Sequence, residues 1–258
     1  MGLPSELHDQ VRRIAPVVLA AEQVLPVPEV FHTLLPGKGL QRGWTTRVDG
    51  GASARALAWA LLGDVTTSGG WIAAVDVSGI SLAAAREVGV AIERVLVVTS
   101  PDGATWSATI GALIGAVDVI VFGAPKHRVQ PREYRRMASR CRERGTVLVE
   151  LAANDGDRGR GGQQTQGQRD QGQLQYDVSF TVDPIGWSGL GQGFGRLQAR
   201  GLDVSVAGRR MPGSGRRGQY ELPAADGSLR EIEQPAGSRS TGSRSTVLRE
   251  VVSAHARH

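Results

Sequence analysis

The stretch Val48-Asp49-Gly50-Gly51-Ala52-Ser53-Ala54-Arg55-Ala56-Leu57-Ala58 stands where a chain could close on a phosphate. A β-prone run, Trp44 to Val48, precedes it, and a helical run, Ala54 to Leu62, follows. Strand, Gly-rich turn and helix form the setting in which G-x-x-x-x-G-K-S/T cradles a nucleotide. Its lysine reaches the β/γ-phosphates and its hydroxyl holds Mg²⁺. Here Ser53-Ala54-Arg55 replace Gly-Lys-Thr, and the loop is one residue short. No lysine is placed to reach a phosphate. Gly50 and Gly51 still offer backbone N–H groups at a helix N-terminus, with Arg55 as a charge. A turn kept because the fold needs it is the simpler reading. No cofactor is expected.

A second group of chemical interest lies at 131–144. Arg132, Arg136 and Arg140 share one helical face with Arg135 flanking, and Tyr134, Met137, Ala138 and Cys141 share the other. Lys126, Arg128, Arg142 and Arg144 add charge against Glu133 and Glu143. Such a face holds nucleic-acid phosphates, meets an acidic protein surface, or is simply solvated. A third group is Trp187, Leu190 and Phe194 in a Gly-rich turn. These residues either fill the edge of the core or anchor a partner.

Composition narrows the classes. Of 30 cationic side chains only Lys38 and Lys126 are lysine, and the net charge is +5. Arginine suits bidentate grip on phosphate or carboxylate, although a GC-rich genome gives the same bias. The single cysteine, Cys141, excludes an internal disulfide and reads as a small buried residue. His8, His32, His127, His255 and His258 form no paired ligand motif, so no metal site is expected. No apolar run approaches a membrane span and no signal peptide is visible, so the expected place is cytoplasmic.

These groups must be positioned by the elements around them. Residues 5–24 read as an amphipathic helix, with Leu7, Val11, Ile14, Val18 and Ala21 on one face, ended by Pro26 and Pro28. Strands are expected at Trp44–Val48, Trp71–Asp76, Arg94–Val98, Asp118–Phe122 and Thr146–Leu151. Helices are expected at about 52–67, 81–88, 105–115 and 131–144. Runs such as Val117 to Phe122 suit strands buried on both faces, the mark of a parallel sheet with crossover helices. Trp59 and Trp71 read as core, and Asp76 as a turn or cap residue at the carboxyl edge. Residues 152–175, rich in Gln, Gly and Arg, read as a disordered loop. Residues 176–183 and 202–207 read as later strands antiparallel to their neighbours, joined by a turn around Trp187 to Gly195. A short strand is expected at 218–222, with a helical stretch at 246–254 in the polar end. The domain plan is a helix and linker over 1–29, a core over 30–207, and a polar flexible tail over 208–258.

The order Ala73-Ala74-Val75-Asp76-Val77-Ser78, Ala83 to Val90, Val95 to Val98 and Ala116 to Val121, after Gly39-Leu40-Gln41-Arg42-Gly43, resembles the RecA ATPase core over about 30–207. That resemblance implies an α/β fold: a mostly parallel central sheet flanked by helices, with antiparallel C-terminal strands. The departures fall on chemistry. Ala54 and Arg55 occupy the Walker A lysine and hydroxyl positions. Gly123 takes the place of the Walker B aspartate, and Ser78 that of the water-activating glutamate. Three catalytic elements missing together imply a degenerate ATPase that is not an enzyme.

With Trp187-x-Gly-Leu-Gly-Gln-Gly-Phe-Gly-Arg-Leu-x-Ala-Arg and a polar end, the chain resembles the ImuA family, most of all its actinobacterial branch. That resemblance implies an accessory role in damage-induced mutagenesis. The implied partner is an ImuB-type inactive Y-family polymerase homologue, and through it an error-prone C-family polymerase; DNA and RecA are further candidates. Two other readings stay open: a SulA-type division inhibitor, and a DNA-dependent ATPase with an unorthodox loop.

Overall fold

The computed structural model describes residues 24–123, 125, 129–152, 176–190, 195–211, 213 and 215–232. The chain opens with an antiparallel pair, β1 (Val24–Pro26) and β2 (Gly39–Gln41). It then alternates through β3 (Thr45–Asp49), α1 (Ala52–Thr67), β4 (Ile72–Val75), α2 (Leu82–Glu87) and β5 (Val95–Val98). Next come α3 (Gly103–Leu113), β6 (Val119–Phe122), α4 (Pro131–Arg144) and β7 (Val147–Leu151). The last strands are β8 (Val178–Leu190), β9 (Gly195–Ala207), β10 (Arg216–Glu221) and β11 (Arg230–Glu231).

All but β1 and β2 join one sheet of order β5-β4-β6-β7-β3-β8-β9-β10-β11. It is parallel from β5 to β8 and antiparallel beyond. The apolar runs explain the layering. Every residue of β4, β6 and β7 is buried, because helices cover both faces. Successive side chains point to opposite faces. Val147, Val149 and Leu151 therefore join the core around α1, while Leu148 joins the one around Trp106, Met137 and Cys141. Helix α1 is buried nearly all round. Leu57, Leu61 and Leu62 share its core with Phe31, Leu34 and Leu35 from the chain before β2. Helix α4 keeps one apolar face, starts at a Gln130/Glu133 capping box with Pro131 in its first turn, and turns its arginines outward.

The structure corrects several expectations. Strand β8 runs parallel to β3, not antiparallel to both neighbours. The chain leaves β7 beside Val48, at the carboxyl edge, and re-enters beside Thr45, at the opposite edge. Trp187 stands within β8, opposite Arg200 of β9, because the hairpin ladder continues through a bulge at Pro184/Gly186. The fold also exceeds 30–207 at both ends. Leu25 and Val27 lie in the main core, and Tyr220 and Leu222 complete it, the Tyr220 ring 5.2 Å from Phe31. Trp59 is core, but Trp71 is 40% exposed beside the edge strand, with the Arg94 guanidinium over its ring. Of the helix expected over 5–24 only Val24 is described, and it opens β1. The expected loop at 152–175, apart from Ala152, and the stretch at 246–254 fall outside the described residues.

One polar knot pins β8 to β3. The Asp177 carboxylate, 2% exposed, accepts hydrogen bonds from Thr45 N (3.0 Å) and Thr45 Oγ1 (3.1 Å), and Arg209 donates to it at 2.6 Å. Burial alone would raise this carboxyl, but the bonds from Arg209 and Thr45 outweigh it and hold it below the usual carboxylate value. Asp177→Asn is expected to cost about 1–3 kcal/mol near neutral pH. The carboxylate's contribution is whole above about pH 4 and is lost as the pH falls through the lowered folded-state value. Urea unfolding of both proteins, near neutrality and in acid, checks this. An Asn variant as stable as the parent near neutrality would show that the pin contributes nothing.

Candidate functional site

Between Asp49 and Ala52 only Gly50 and Gly51 remain to turn the chain from β3 into α1. Both take positive φ, 134° and 60°. A Cβ on Gly50 would collide with the carbonyl oxygen of Val182, so β8 backs directly onto the turn. Ser53 N donates to Gly50 O (3.1 Å), Ala54 N to Gly50 O (3.3 Å) and Arg55 N to Gly51 O (3.1 Å). These N–H groups are spent inside the turn and the helix. Ser53 and Ala54 are buried, and the Ser53 hydroxyl accepts a hydrogen bond from the Arg200 guanidinium. Arg55 is half-buried against Gly79, in the connection from β4 to α2.

At the neighbouring strand ends the geometry is equally closed. Asp76 turns off β4 at φ 48°, its N–H donating to Val98 O (3.0 Å) and its Oδ1 accepting from Ser100 N (2.8 Å). It is a turn residue that ties β4 to the exit from β5. Gly123 follows β6 and crosses close over it. A Cβ at 123 would stand 2.7 Å from the Asp76 carbonyl oxygen. On this backbone position 123 has no room for an aspartate.

The hairpin β8–β9 continues past the last β3 pairing, Asp49 with Thr181, and delivers Arg200 to the N-terminal turn of α1. The Arg200 guanidinium carbon lies 5.2 Å from the centre of the Trp187 ring, a cation–π contact. Burial lowers its pKa, and its Nε is buried without a hydrogen-bond partner among the described residues. Arg200 and Arg55 line a cleft of about 810 Å³ whose walls include Trp59, Leu222 and Pro223. Sequence reading missed Arg200. The signal was available: Trp187 and Arg200 close the two ends of one Gly-rich block, at a separation that a hairpin folds face to face. Of the three residues singled out there, Trp187 is 52% exposed, Leu190 ends β8, and Phe194 lies outside the described residues.

On the other face of the sheet, Arg132, Arg135, Arg136 and Arg140 are exposed along α4. Arg135 Nε donates to Pro131 O (3.3 Å), and the Arg140 guanidinium lies against Gly111 of α3. None of the four touches the turn at Gly50. Beneath α4 lies a network the sequence did not announce. Arg47 and Glu150 sit opposite one another on β3 and β7, their side chains 3.6 Å apart, and Tyr176 donates its hydroxyl to Glu150. Burial raises the Glu150 carboxyl, against the opposing pull of Tyr176 and Arg47. Glu150 inside the apolar run Val147 to Leu151 was the signal there. Cys141 is fully buried, and burial pushes its thiol up to about 12, as for an inert packing residue. Among the described residues no cluster of His, Cys, Asp and Glu is arranged to hold a metal, and no helix is long and apolar enough to cross a membrane.

A family model described as the MT3502 N-terminal domain matches residues 33–156. Uncharacterized protein Rv3395c of Mycobacterium tuberculosis is 34% identical over 107 residues, 41% of this chain. The match spans about half (50%) of that relative's length. Two solved structures share the fold. The RadB recombinase superposes with a TM-score of 0.54 at 15% identity, covering 82% of this chain and 100% of its own. The flagellar accessory protein FlaH from Methanocaldococcus jannaschii gives 0.55 at 10%, covering 82% and 99%. The fold is RecA-like.

The crossing at Gly123 is the sharpest steric feature of this edge. Gly123→Ala is expected to destabilise the protein by about 1–3 kcal/mol, the cost of overpacking against backbone that cannot swing aside. Chemical denaturation measures it, and an unchanged unfolding midpoint would show that the crossing relaxes freely.

Proposed function

We propose that this chain is a RecA-fold scaffold of the ImuA type, which assembles partners for damage-induced translesion synthesis and does not hydrolyse nucleotide. The observation that carries the reading is the closed carboxyl edge. Where a RecA-like ATPase places lysine, hydroxyl and Walker B carboxylate, this chain has buried Ala54, Arg55 turned onto Gly79, and Gly123 with no room for a side chain. The Ser53 hydroxyl, one residue before Ala54, is held by Arg200. The mycobacterial relative accords with the actinobacterial branch of that family.

In this reading the fold supplies surfaces in place of a reaction. The α4 arginines meet DNA phosphates or an acidic partner surface, and Trp187 at the hairpin supplies an aromatic anchor. The implied partner is the ImuB-type Y-family homologue. Calorimetric titration with Mg-ATP is expected to show no saturable binding, and a phosphate-release assay no turnover with or without single-stranded DNA. Saturable binding or DNA-stimulated hydrolysis would return the chain to the ATPases.

Assembly is tested on the arginine face. Replacing Arg132, Arg136 and Arg140 together by Ala is expected to change stability by less than about 0.5 kcal/mol, since all three are exposed. If DNA is the ligand, affinity for labelled single strands falls regardless of sequence, and the salt-dependence slope drops by roughly one unit per lost contact. If instead pull-down of the ImuB-type protein falls while DNA affinity holds, the face serves the partner. No change in either would leave the face merely solvated and remove it from the reading. Truncation for such assays belongs after residue 232, because a cut at 208 removes β10 and β11 from the sheet.

A further inference from the structure

The cleft beside α1 carries more positive charge than the chain itself answers. Arg55 and Arg200 both line it, and neither has a carboxylate partner among the described residues. Arg42, Arg47, Arg209, Arg210, Arg217 and Arg230 pair with acids, whereas Arg55 and Arg200, like the exposed Arg132, Arg135, Arg136 and Arg140 of α4, do not among the described residues. Arg200 is also held in place beforehand. Its Nη2 donates to Ser53 Oγ, its guanidinium lies over the Trp187 ring, and its Nε is buried without a hydrogen-bond partner among the described residues. A guanidinium so fixed loses little freedom when it binds, and its fork matches a carboxylate. The rest of the wall is mixed: Trp59, Val88, Leu222 and Pro223 are apolar, and Ser81, Glu87 and Gln198 are polar. Trp187 and Ile185, on the same hairpin as Arg200, are each 52% exposed.

We infer that this cleft receives a segment of a partner protein bearing one carboxylate beside an apolar side chain. Charge decides between occupants. Two arginines and Glu87 give the lining a net charge of +1, which one carboxylate neutralises. A nucleotide polyphosphate brings several negative charges to a wall that includes Glu87. It also finds the N–H groups of Ser53 and Ala54 already bonded to Gly50 O. A buried Arg–carboxylate pair ringed by aromatic and aliphatic side chains is the usual composition of an interface hot spot. The α4 arginines lie on the opposite face of the sheet and are not part of this site. The inference rests on the scaffold reading only for its premise that the occupant is a protein.

The test uses the full chain and a displayed library of random dodecapeptides, counter-selected on Arg200→Gln. Enriched peptides are expected to share one Asp or Glu next to Leu, Ile or Phe. A labelled synthetic representative should bind at least about tenfold more weakly to Arg55→Gln and to Arg200→Gln, as should its Asn or Gln twin on the parent protein, since each removes a charge-assisted hydrogen bond. Arg55→Gln leaves the Ser53 contact intact. It therefore separates loss of binding from the local disturbance that Arg200→Gln brings, and thermal melts report whether each variant folds. Enrichment without a fixed acid, no enrichment, or equal affinity in Arg55→Gln would overturn the inference and leave the scaffold reading standing. Displacement of the peptide by millimolar ATP would overturn both.

Discussion

The backbone of β8 lies against the two-glycine turn between β3 and α1, and the rest of the carboxyl edge follows from that contact. Gly50 has no room for a Cβ because the Val182 carbonyl occupies the place. A residue with a side chain at 50 would push the turn off β8, and the N–H groups of Ser53 and Ala54 beyond it are already bonded to Gly50 O. The register that sets this contact is fixed at the other end of the same strand, where Thr45 binds the buried Asp177 carboxylate. With β8 held at both levels its hairpin must run on past the sheet, and that extension brings Arg200 to Ser53.

The same economy of space shapes the edge between β4 and β6. Asp76 is drawn into a left-handed turn by bonds to Val98 and Ser100, and its carbonyl then fills the space a side chain at 123 would need. Positions that could lend charge to a metal-bound phosphate are given to backbone packing. Each close contact is short-range and repulsive, so the glycines at 50 and 123 are conditions of this backbone and not ornaments of a lost motif.

What remains polar is distributed over the two faces of the sheet. On the α4 face the arginines stand in solvent above a buried layer in which Arg47, Glu150 and Tyr176 satisfy one another. On the α1 face Arg55 and Arg200 line one cleft with Glu87, and neither is ion-paired among the described residues. The first arrangement offers an extended row of exposed charges, and the second a held guanidinium, Arg200, that shares with Arg55 a cleft of mixed apolar and polar walls. Long side chains on an exposed helix adapt to a ligand of varied shape, whereas a guanidinium held by a hydrogen bond and a cation–π contact selects one geometry.

Periodicity carried much of this fold. The Val and Ile runs of β4, β6 and β7, the Gly-Gly turn before α1 and the two-sided helix at 131–144 are local patterns, legible because strand and helix repeat over a few residues. Missing residue types were equally plain: no lysine at 54, no aspartate at 123. Folding alone decided the direction of β8, since a strand's alternation is the same whichever way its neighbour runs. It decided that Trp187 lies in a strand and not a loop, because a Gly-rich ladder looks like a turn until its partner strand is present. It extended the core to Leu25 and Leu222, whose surroundings in sequence are polar or proline-rich. Above all it brought Arg200 to Ser53, a contact across 147 residues. No local pattern encodes that pairing, because it exists only where two distant stretches of backbone are packed against each other.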